Sequence, residues 1–514
     1  MHRVLSASHD TYITDKIIRG TGFRATDANV GQSGTLDLFK LYGEAPGSPS
    51  DAIELTRALV KFNMHPLRTM VREGDVDLNN IKAELVLSDI YGGQTTPSNF
   101  KLISFPLAQK FQEGIGRDVV NYNDLGTSNF LTASYTNGIF NLWNIPGGMK
   151  SGSLGDNNID IIVSGSLQGP NGTQTLNLSS EQMFNTGEEN LILDVTNAVS
   201  GVISNQIDDH GFLIAFSGSY EKDAKTYFVK RFASKNSSRE DLRPKIVVKY
   251  DDSINDNHEN FIFDVSGSVF LNNYHRGTLA NIISGTSATE ITGHNCLKLK
   301  LIFGSYSQFV TASQYSVGSV FKTGIYSASF AVSRYDNNFF NYLKNTTSAS
   351  LDAIWCSGTD NFPDNNSSVA YLSSSLQIKT PFRTSFDGSQ KRLLVRMKNL
   401  RPHYRKEDKV KLRVFIEDRD RQIVFKKRPL VTRSQVFENM HFQVRDSQSK
   451  RIMIPFDVVN NSTKLSSDSD GMFFNFFMDS LPSGRNYNFE FLIRDFSEDY
   501  YVKDVSAKFN IEVD

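Results

Sequence analysis

The sequence predicts an all-β protein made of three β-sandwich domains in series. Three observations carry this. Apolar residues recur in short runs with period-two alternation, the pattern of half-buried strands. The aromatic content is 38 Phe and 19 Tyr against 2 Trp, set among abundant Gly, Ser and Asn, a mixture that favours strands and turns. Finally, 514 residues exceed what one hydrophobic core organises, so two to four domains are expected.

The first domain is read as residues 1–252. Its runs are Asp10–Asp15, Leu36–Leu41, Thr56–Phe62, Lys82–Leu87, Phe100–Pro106, Ile159–Val163, Leu191–Val195 and Phe212–Phe216. Within Lys82–Leu87, residues Ala83, Leu85 and Leu87 face one way, toward a core. Thr196 is placed to cap a short helix with Val199, Val202 and Ile203 on its apolar face. The domain closes with Tyr227–Phe232, a polar loop ending in Arg243-Pro244, and Lys245–Tyr250. Pro244 restrains Arg243 to an extended shape, which suits the start of a strand. The polar stretch Asp251–Asn257 then reads as a linker. Strands at this spacing with one short helix fit a jelly-roll sandwich.

An ordered set of phrases spans these residues: Asp10-Thr11-Tyr12-Ile13, Arg57–Phe62, Ala83–Leu87, Glu113-Gly114-Ile115-Gly116 with Asp118 and Tyr122, then Asp124 and Asn129. Asp194-Val195-Thr196, His210-Gly211-Phe212, Ser238-Arg239-Glu240 and Arg243–Val248 follow. In this order the region resembles the DNRLRE-type domain, a jelly-roll β-sandwich found in bacterial surface proteins, carbohydrate-active enzymes and phage virion proteins. The resemblance implies that fold. Where such domains usually carry Trp this chain has Phe111 and Phe130, which weakens a carry-over of sugar binding. Ser238-Arg239-Glu240 is read first as a loop that pairs its own charges. Glu113, Asp118 and Asp124 admit a general acid and base, but also turn residues or a structural cation site.

The middle domain is read as residues 258–385, a second β-sandwich. Its runs are Phe261–Val265, Lys298–Phe303, Ser327–Val332 and Ala349–Trp355, in a Ser-, Asn- and Thr-rich background. The aromatics Tyr335, Phe339, Phe340 and Tyr342 are candidate recognition residues, although such a cluster more often belongs to a core or an interdomain seam. His294 and Cys296 have no second pair at zinc spacing, so a satisfied His and a buried thiol are expected. The chain's two cysteines, Cys296 and Cys356, are expected to be free thiols. Residues 361–368 read as an exposed loop.

The last domain is read as residues 386–514, an immunoglobulin-like sandwich of about seven strands. Val410, Leu412, Val414 and Ile416 share one face; Tyr487, Phe489, Phe491 and Ile493 repeat the pattern; Phe509, Ile511 and Val513 close the chain. Charge is segregated here. Residues 391–451 hold 19 Lys or Arg against 7 Asp or Glu, whereas residues 452–514 hold 5 against 11. Three readings follow, in order of preference. Facing strands pair opposite charges; a basic edge, with Arg419, Arg421, Lys426, Lys427 and Arg428 as the candidate assembly surface, docks on an acidic neighbour; or the patch binds phosphate backbone. The phrases Phe442–Ser447, Ile454–Asp457, Thr463–Ser466, Asp470–Phe474 and Gly484–Tyr487 resemble a module of tailed-phage structural proteins. Asp468, Asp470 and Gly471 read as a turn, since the calcium-loop continuation is absent.

The net charge of −1 gives no global field toward nucleic acid or an anionic membrane. The sequence has no apolar run long enough to span a bilayer, and its first residues are too short an apolar stretch for a secretory signal. It lacks a phosphate-binding Gly loop ending in Lys-Ser or Lys-Thr, a His-Glu-x-x-His, a Cys-x-x-Cys pair and a nucleophile elbow. No catalytic residue, metal or cofactor is therefore assigned. The two resemblances imply a non-enzymatic structural protein located in a tailed-phage virion, in tail, baseplate, neck or head surface. Its partners would be other virion proteins, a homo-oligomer or a host-surface glycan, without nucleic acid or membrane. The alternative is a carbohydrate-binding or adhesin protein; a polysaccharide-degrading enzyme ranks below both.

Overall fold

The computed structural model describes all residues except 47–48, 122–125, 170–171, 259–260, 285–287, 344–347, 358–368, 381–391, 420–433, 496–497, 503–507 and 513–514. The architecture is all-β, and the chain divides into two compact units. One holds residues 2–72 and 78–249; the other holds Met1, Glu73–Asp77 and Tyr250–Asp514.

The unit of residues 2–72 and 78–249 contains β1 (His2–Thr14), β2 (Thr35–Tyr42), β3 (Ile53–Phe62), β4 (Ile81–Leu87), β5 (Phe100–Pro106), β6 (Thr132–Thr136), β7 (Ile139–Leu142) and β8 (Ser151–Ser153). It continues with β9 (Ile161–Gly169), β10 (Gly172–Asn177), β11 (Ser180–Phe184), β12 (Leu191–Asp194), β13 (Phe212–Phe216), β14 (Tyr227–Ala233) and β15 (Lys245–Tyr250). The sandwich has one path, β11-β5-β13-β3-β1-β15-β4-β12, with β2 and β14 paired beside it. β1 serves both halves. Its first residues pair with β15 and its later ones with β3, and the register shifts between Ala7 and His9, where an irregularity lets the strand change partner. The expected run from Asp10 is thus only the second half of a longer strand.

β4 and β5 alternate buried and half-buried positions, as half-covered strands do. β13, Phe-Leu-Ile-Ala-Phe, is buried at every position. A continuous apolar run requires cover on both faces, and the excursion between β5 and β11 supplies the second cover. Leu107, Phe111 and Trp143 from that excursion pack with Leu59 of β3 and with Leu213 and Ala215 of β13.

Two helical details differ from expectation. Thr196 does not cap its helix, Thr196–Ile203; the boundary residue is Val195, with no side-chain cap. Thr196 instead accepts the Ala83 N–H and donates to Asp194, which ties the helix to β4. A second helix, His65–Arg72, buries Leu67 and Met70. Its start is set by Asn63, whose side chain accepts the His65 N–H, and by Pro66 in the first turn.

The other unit begins with β16 (Phe261–Ile262), β17 (Gly267–Asn272), the short pairs β18 (Tyr274–His275) with β19 (Thr278–Leu279) and β20 (Ile283–Ser284) with β21 (Thr289–Glu290), and then β22 (Leu297–Phe303), β23 (Tyr306–Val317), β24 (Val320–Phe330), β25 (Ser348–Ser357) and β26 (Ala370–Lys379). One sheet, β16-β26-β25-β22-β23-β24-β17, folds over one core. Its two end strands, β16 and β17, are nearly contiguous in the chain, so the sheet curls back toward itself. The turn between them uses Asp264 at φ +61, and this cuts the expected run Phe261–Val265 short.

The C-terminal part contains β27 (Leu393–Met397), β28 (His403–Tyr404), β29 (Lys409–Asp418), β30 (Asn439–Asp446), β31 (Ile452–Ile454), β32 (Ser466–Asp468), β33 (Gly471–Phe477), β34 (Asn486–Asp495), β35 (Glu498–Val502) and β36 (Lys508–Ile511). They form two sheets, β27-β29-β33-β32 and β28-β36-β34-β30-β31, with β35 on β34. This is the immunoglobulin-like arrangement, and Tyr487 at the start of β34 donates its hydroxyl to the Pro482 carbonyl, the tyrosine corner of such domains. Residues 254–256 are not a free linker. Ile254 and Asn255 run beside β32, with Ser467 N–H donating to the Ile254 carbonyl at 3.0 Å.

Candidate contact surfaces

The proposed basic edge lies mostly outside the described residues: Arg421, Lys426, Lys427 and Arg428 are not among them. Arg419 is exposed just after β29, and its N–H donates to the Arg392 carbonyl. Elsewhere in this sandwich the two charge zones interleave. Both terminal nitrogens of Arg413 on β29 donate to Asp468 on β32, at 2.9 and 2.8 Å, and Lys411 approaches the same carboxylate at 3.5 Å. Arg445 meets Glu490, and Arg485 meets Asp446. Burial alone would raise the Asp468 carboxyl; the Arg413 hydrogen bonds and charge, then Lys411, outweigh it and hold the group below its ordinary range. The charged groups of both cations lie over one aromatic ring, with the Lys411 ammonium 3.7 Å and the Arg413 guanidinium carbon 5.7 Å from the Phe473 centroid.

The aromatic group at Asn337–Leu343 divides. Phe339 is fully buried and packs on Phe263, Phe303 and Tyr306, so it faces the core and is not a recognition residue. Leu343, one helical turn on, is buried beside it. Tyr335 and Phe340 are 72% and 40% exposed, with ring centroids 6.3 Å apart at an angle of 29°. Tyr342 belongs to the helix, but its side chain lies outside the described residues.

The three carboxylates considered as acid and base do not form one site. Asp118 is half-buried and accepts the Asn121 side-chain amide and the backbone N–H groups of Asn121 and Val120, the geometry of a turn, which lowers its carboxyl. Asp124 lies outside the described residues. Glu113 accepts the Asp10 N–H at 3.0 Å and pairs with Lys235 at 2.8 Å. Asp10 is buried and accepts the Lys235 N–H at 2.6 Å. Burial pushes the Asp10 carboxyl up to about 7, with the Glu113 charge adding to it against the Lys235 N–H and ammonium. These three residues clasp β1, the start of the excursion and the segment after β14. Asn29 extends the clasp, donating to the Glu113 and Ser128 carbonyls and accepting the Gly116 N–H. A Cβ at Gly116 would sit 1.8 Å from the Asn29 carbonyl oxygen, so only glycine fits there. In the loop Ser238-Arg239-Glu240, Arg239 pairs with the nearby Asp241.

Among the described residues no group of three or more His, Cys, Asp or Glu is placed to hold a metal ion. Cys296 is half-buried and Cys356 buried, both as free thiols. Both tryptophans, Trp143 and Trp355, are buried.

The most conspicuous exposed surface was not anticipated. β6 and β7 form a two-stranded hairpin around Asn137-Gly138, both at positive φ (55° and 84°), as a primed two-residue turn requires. Every residue of β7 is exposed; Ile139, Phe140 and Leu142 are 66%, 48% and 60% accessible. Tyr135 lies against Phe140 with centroids 4.8 Å apart, and Leu131 and Ile145 are also exposed. The base of the hairpin is anchored: the Trp143 indole donates to the Asn129 carbonyl, and the Trp143 N–H donates to the Leu131 carbonyl. The Asn-Gly pair between apolar runs is a sequence signal that marks this hairpin, as is the absence of any charged residue from 125 to 149.

No protein-family model matches the chain, and no curated protein matches it. Among solved structures it is similar to the fibronectin(III)-like modules of CbhA from Clostridium thermocellum, at 9% identity and a TM-score of 0.15, covering 51% of this chain and 92% of that one. It is also similar to trypsin-activated alpha-2-macroglobulin from Escherichia coli, at 9% identity and a TM-score of 0.16, covering 89% of this chain and 29% of that one. The chain thus spans less than a third of that macroglobulin.

Proposed function

We propose that this protein is a non-enzymatic structural subunit of a tailed-phage virion, placed in the tail, baseplate, neck or head surface, and that its β domains make contacts with neighbouring proteins. The observation that carries a contact role is the β6–β7 hairpin, whose apolar side chains stand in water on a rigidly anchored ribbon. An exposed apolar ribbon of this kind is a liability in an isolated protein and an asset in an assembly. The two sequence resemblances supply the virion assignment. Mass spectrometry of purified particles tests it: the protein is expected in fixed stoichiometry to the major capsid protein. Its absence from particles whose producer cells contain it would reject the assignment.

A second reading, binding of a cell-surface glycan, draws on the exposed, nearly parallel rings of Tyr335 and Phe340, since sugar faces stack on such rings. A glycan array with the full chain and with the Tyr335→Ala variant tests it. Signal that disappears in the variant supports this reading; no signal with the unsubstituted chain removes it.

A further inference from the structure

We propose that β7 is a homotypic edge: two copies of this chain pair antiparallel along Ile139–Leu142 about a two-fold axis and extend β6–β7 into one four-stranded sheet. The proposal rests on the reading of this protein as an assembly component and names the partner of one surface.

The hairpin has one closed edge and one open edge. β6 is closed by Gln112, whose N–H donates to the Ala133 carbonyl while its side chain both donates to the Tyr135 carbonyl and accepts the Tyr135 N–H. β7 pairs only with β6 among the described strands. In a two-residue hairpin the pair beside the turn, here Thr136 and Ile139, exchanges both ladder bonds, which turns the N–H and C=O of Phe140 to the open side. An antiparallel partner centred on Phe140 would engage those groups.

The absence of charge suits a second copy as the partner. A two-fold axis sets a surface against itself, so each charge near the axis meets its own sign. The stretch 125–149 contains no Asp, Glu, Lys, Arg or His, which makes it compatible with its own copy. The guards that keep edge strands apart, an outward Lys, a proline or a bulge, are missing from Ile139–Leu142. The register shift lies in β6, between Thr132 and Ser134. Ile139 falls on one face of the ribbon, Phe140 and Leu142 on the other by strand periodicity or its continuation, so the joined sheet would bury apolar side chains along the new seam. Four residues make a small contact, and the pair is expected to be weak alone and reinforced where many copies are held together.

The test uses the full chain. Sedimentation across a concentration series is expected to show a reversible dimer, and Phe140→Lys is expected to weaken it at least tenfold with the circular dichroism unchanged. Phe140→Cys is expected to give a disulfide-linked dimer under mild oxidation, which Lys222→Cys, at an exposed position elsewhere in the same unit, does not. A chain that stays monomeric at its solubility limit and gives no Phe140→Cys dimer overturns the proposal. So does a dimer unaffected by Phe140→Lys, or a monomer that binds phosphatidylcholine vesicles through this hairpin. These outcomes are independent of the particle assay: a dimer from a protein absent in virions would leave this pairing intact and remove only the virion assignment.

Discussion

The Tyr487 hydroxyl donates a 2.6 Å hydrogen bond to the Pro482 carbonyl, five residues upstream. Tyr487 is fully buried, packed between the sheets against Phe509. The bond fastens the turn that delivers the chain into β34, the strand that pairs with β30, β35 and β36. Removing the hydroxyl leaves a carbonyl short of a partner while the ring still packs. Tyr487→Phe is therefore expected to cost about 1–3 kcal/mol, read as a lower denaturation midpoint in guanidinium with an unchanged slope.

Lys230 on β14 is fully buried, yet its ammonium is well served. It donates to Asp89 and to the Gly187 and Glu189 carbonyls, and lies over the rings of Phe184 and Phe232. Burial still lowers its pKa, with Asp89 opposing that shift. Lys230→Met strands the Asp89 carboxylate and two carbonyls, and is expected to cost about 3–5 kcal/mol. In Lys230→Met with Asp89→Asn part of that loss returns, because no unpaired charge remains. Thermal unfolding of the two variants beside the parent chain checks both expectations; equal midpoints for single and double variants would show that the stranded charge is not the cause.

Asp10 makes the stability of its unit depend on pH. Its folded pKa, about 7, stands above the usual unfolded value near 3.9. The folded state therefore binds the extra proton, and the associated stability is complete below about pH 4 and lost as pH rises through about 7. Asp10→Asn, which cannot ionise, is expected to gain relative to the parent as pH increases from 5 to 8. Urea melts at the two pH values measure this, and a difference between variant and parent that does not change with pH would refute it.

His441 on β30 works in the opposite sense. Burial, then the charges of Lys464 and Arg494, push its imidazole down to about 4. The unfolded value is near 6.5, so the stability it contributes is present above about 6.5 and lost as pH falls toward about 4. His441→Gln is expected to flatten that acid limb. A titration of the His441 ring protons by NMR, with a midpoint near 6.5, would contradict the assignment.

The sequence made the strands legible because period-two alternation is a local property. The run Lys82–Leu87 matches β4 almost residue for residue, and the alternating Val410, Leu412, Val414 and Ile416 fall within β29. The all-β class and the immunoglobulin-like sheets follow from such runs. Ile254 and Asn255 look like linker by composition, yet their backbone groups find Ser467 some two hundred residues later. Phe339 and Phe340 are neighbours of one chemistry, and helix geometry buries the first and exposes the second.

The sequence by itself determined the strongly alternating strands, such as β4 and β29, and where like charges cluster, since both depend on near neighbours. The tertiary structure alone decided that Arg413 and Asp468 meet. It also decided that Asp10 is enclosed with Glu113 and Lys235 and that β7 keeps an edge in water. Pairing and burial join residues far apart in the chain, and no local pattern encodes which distant surface will cover a given face.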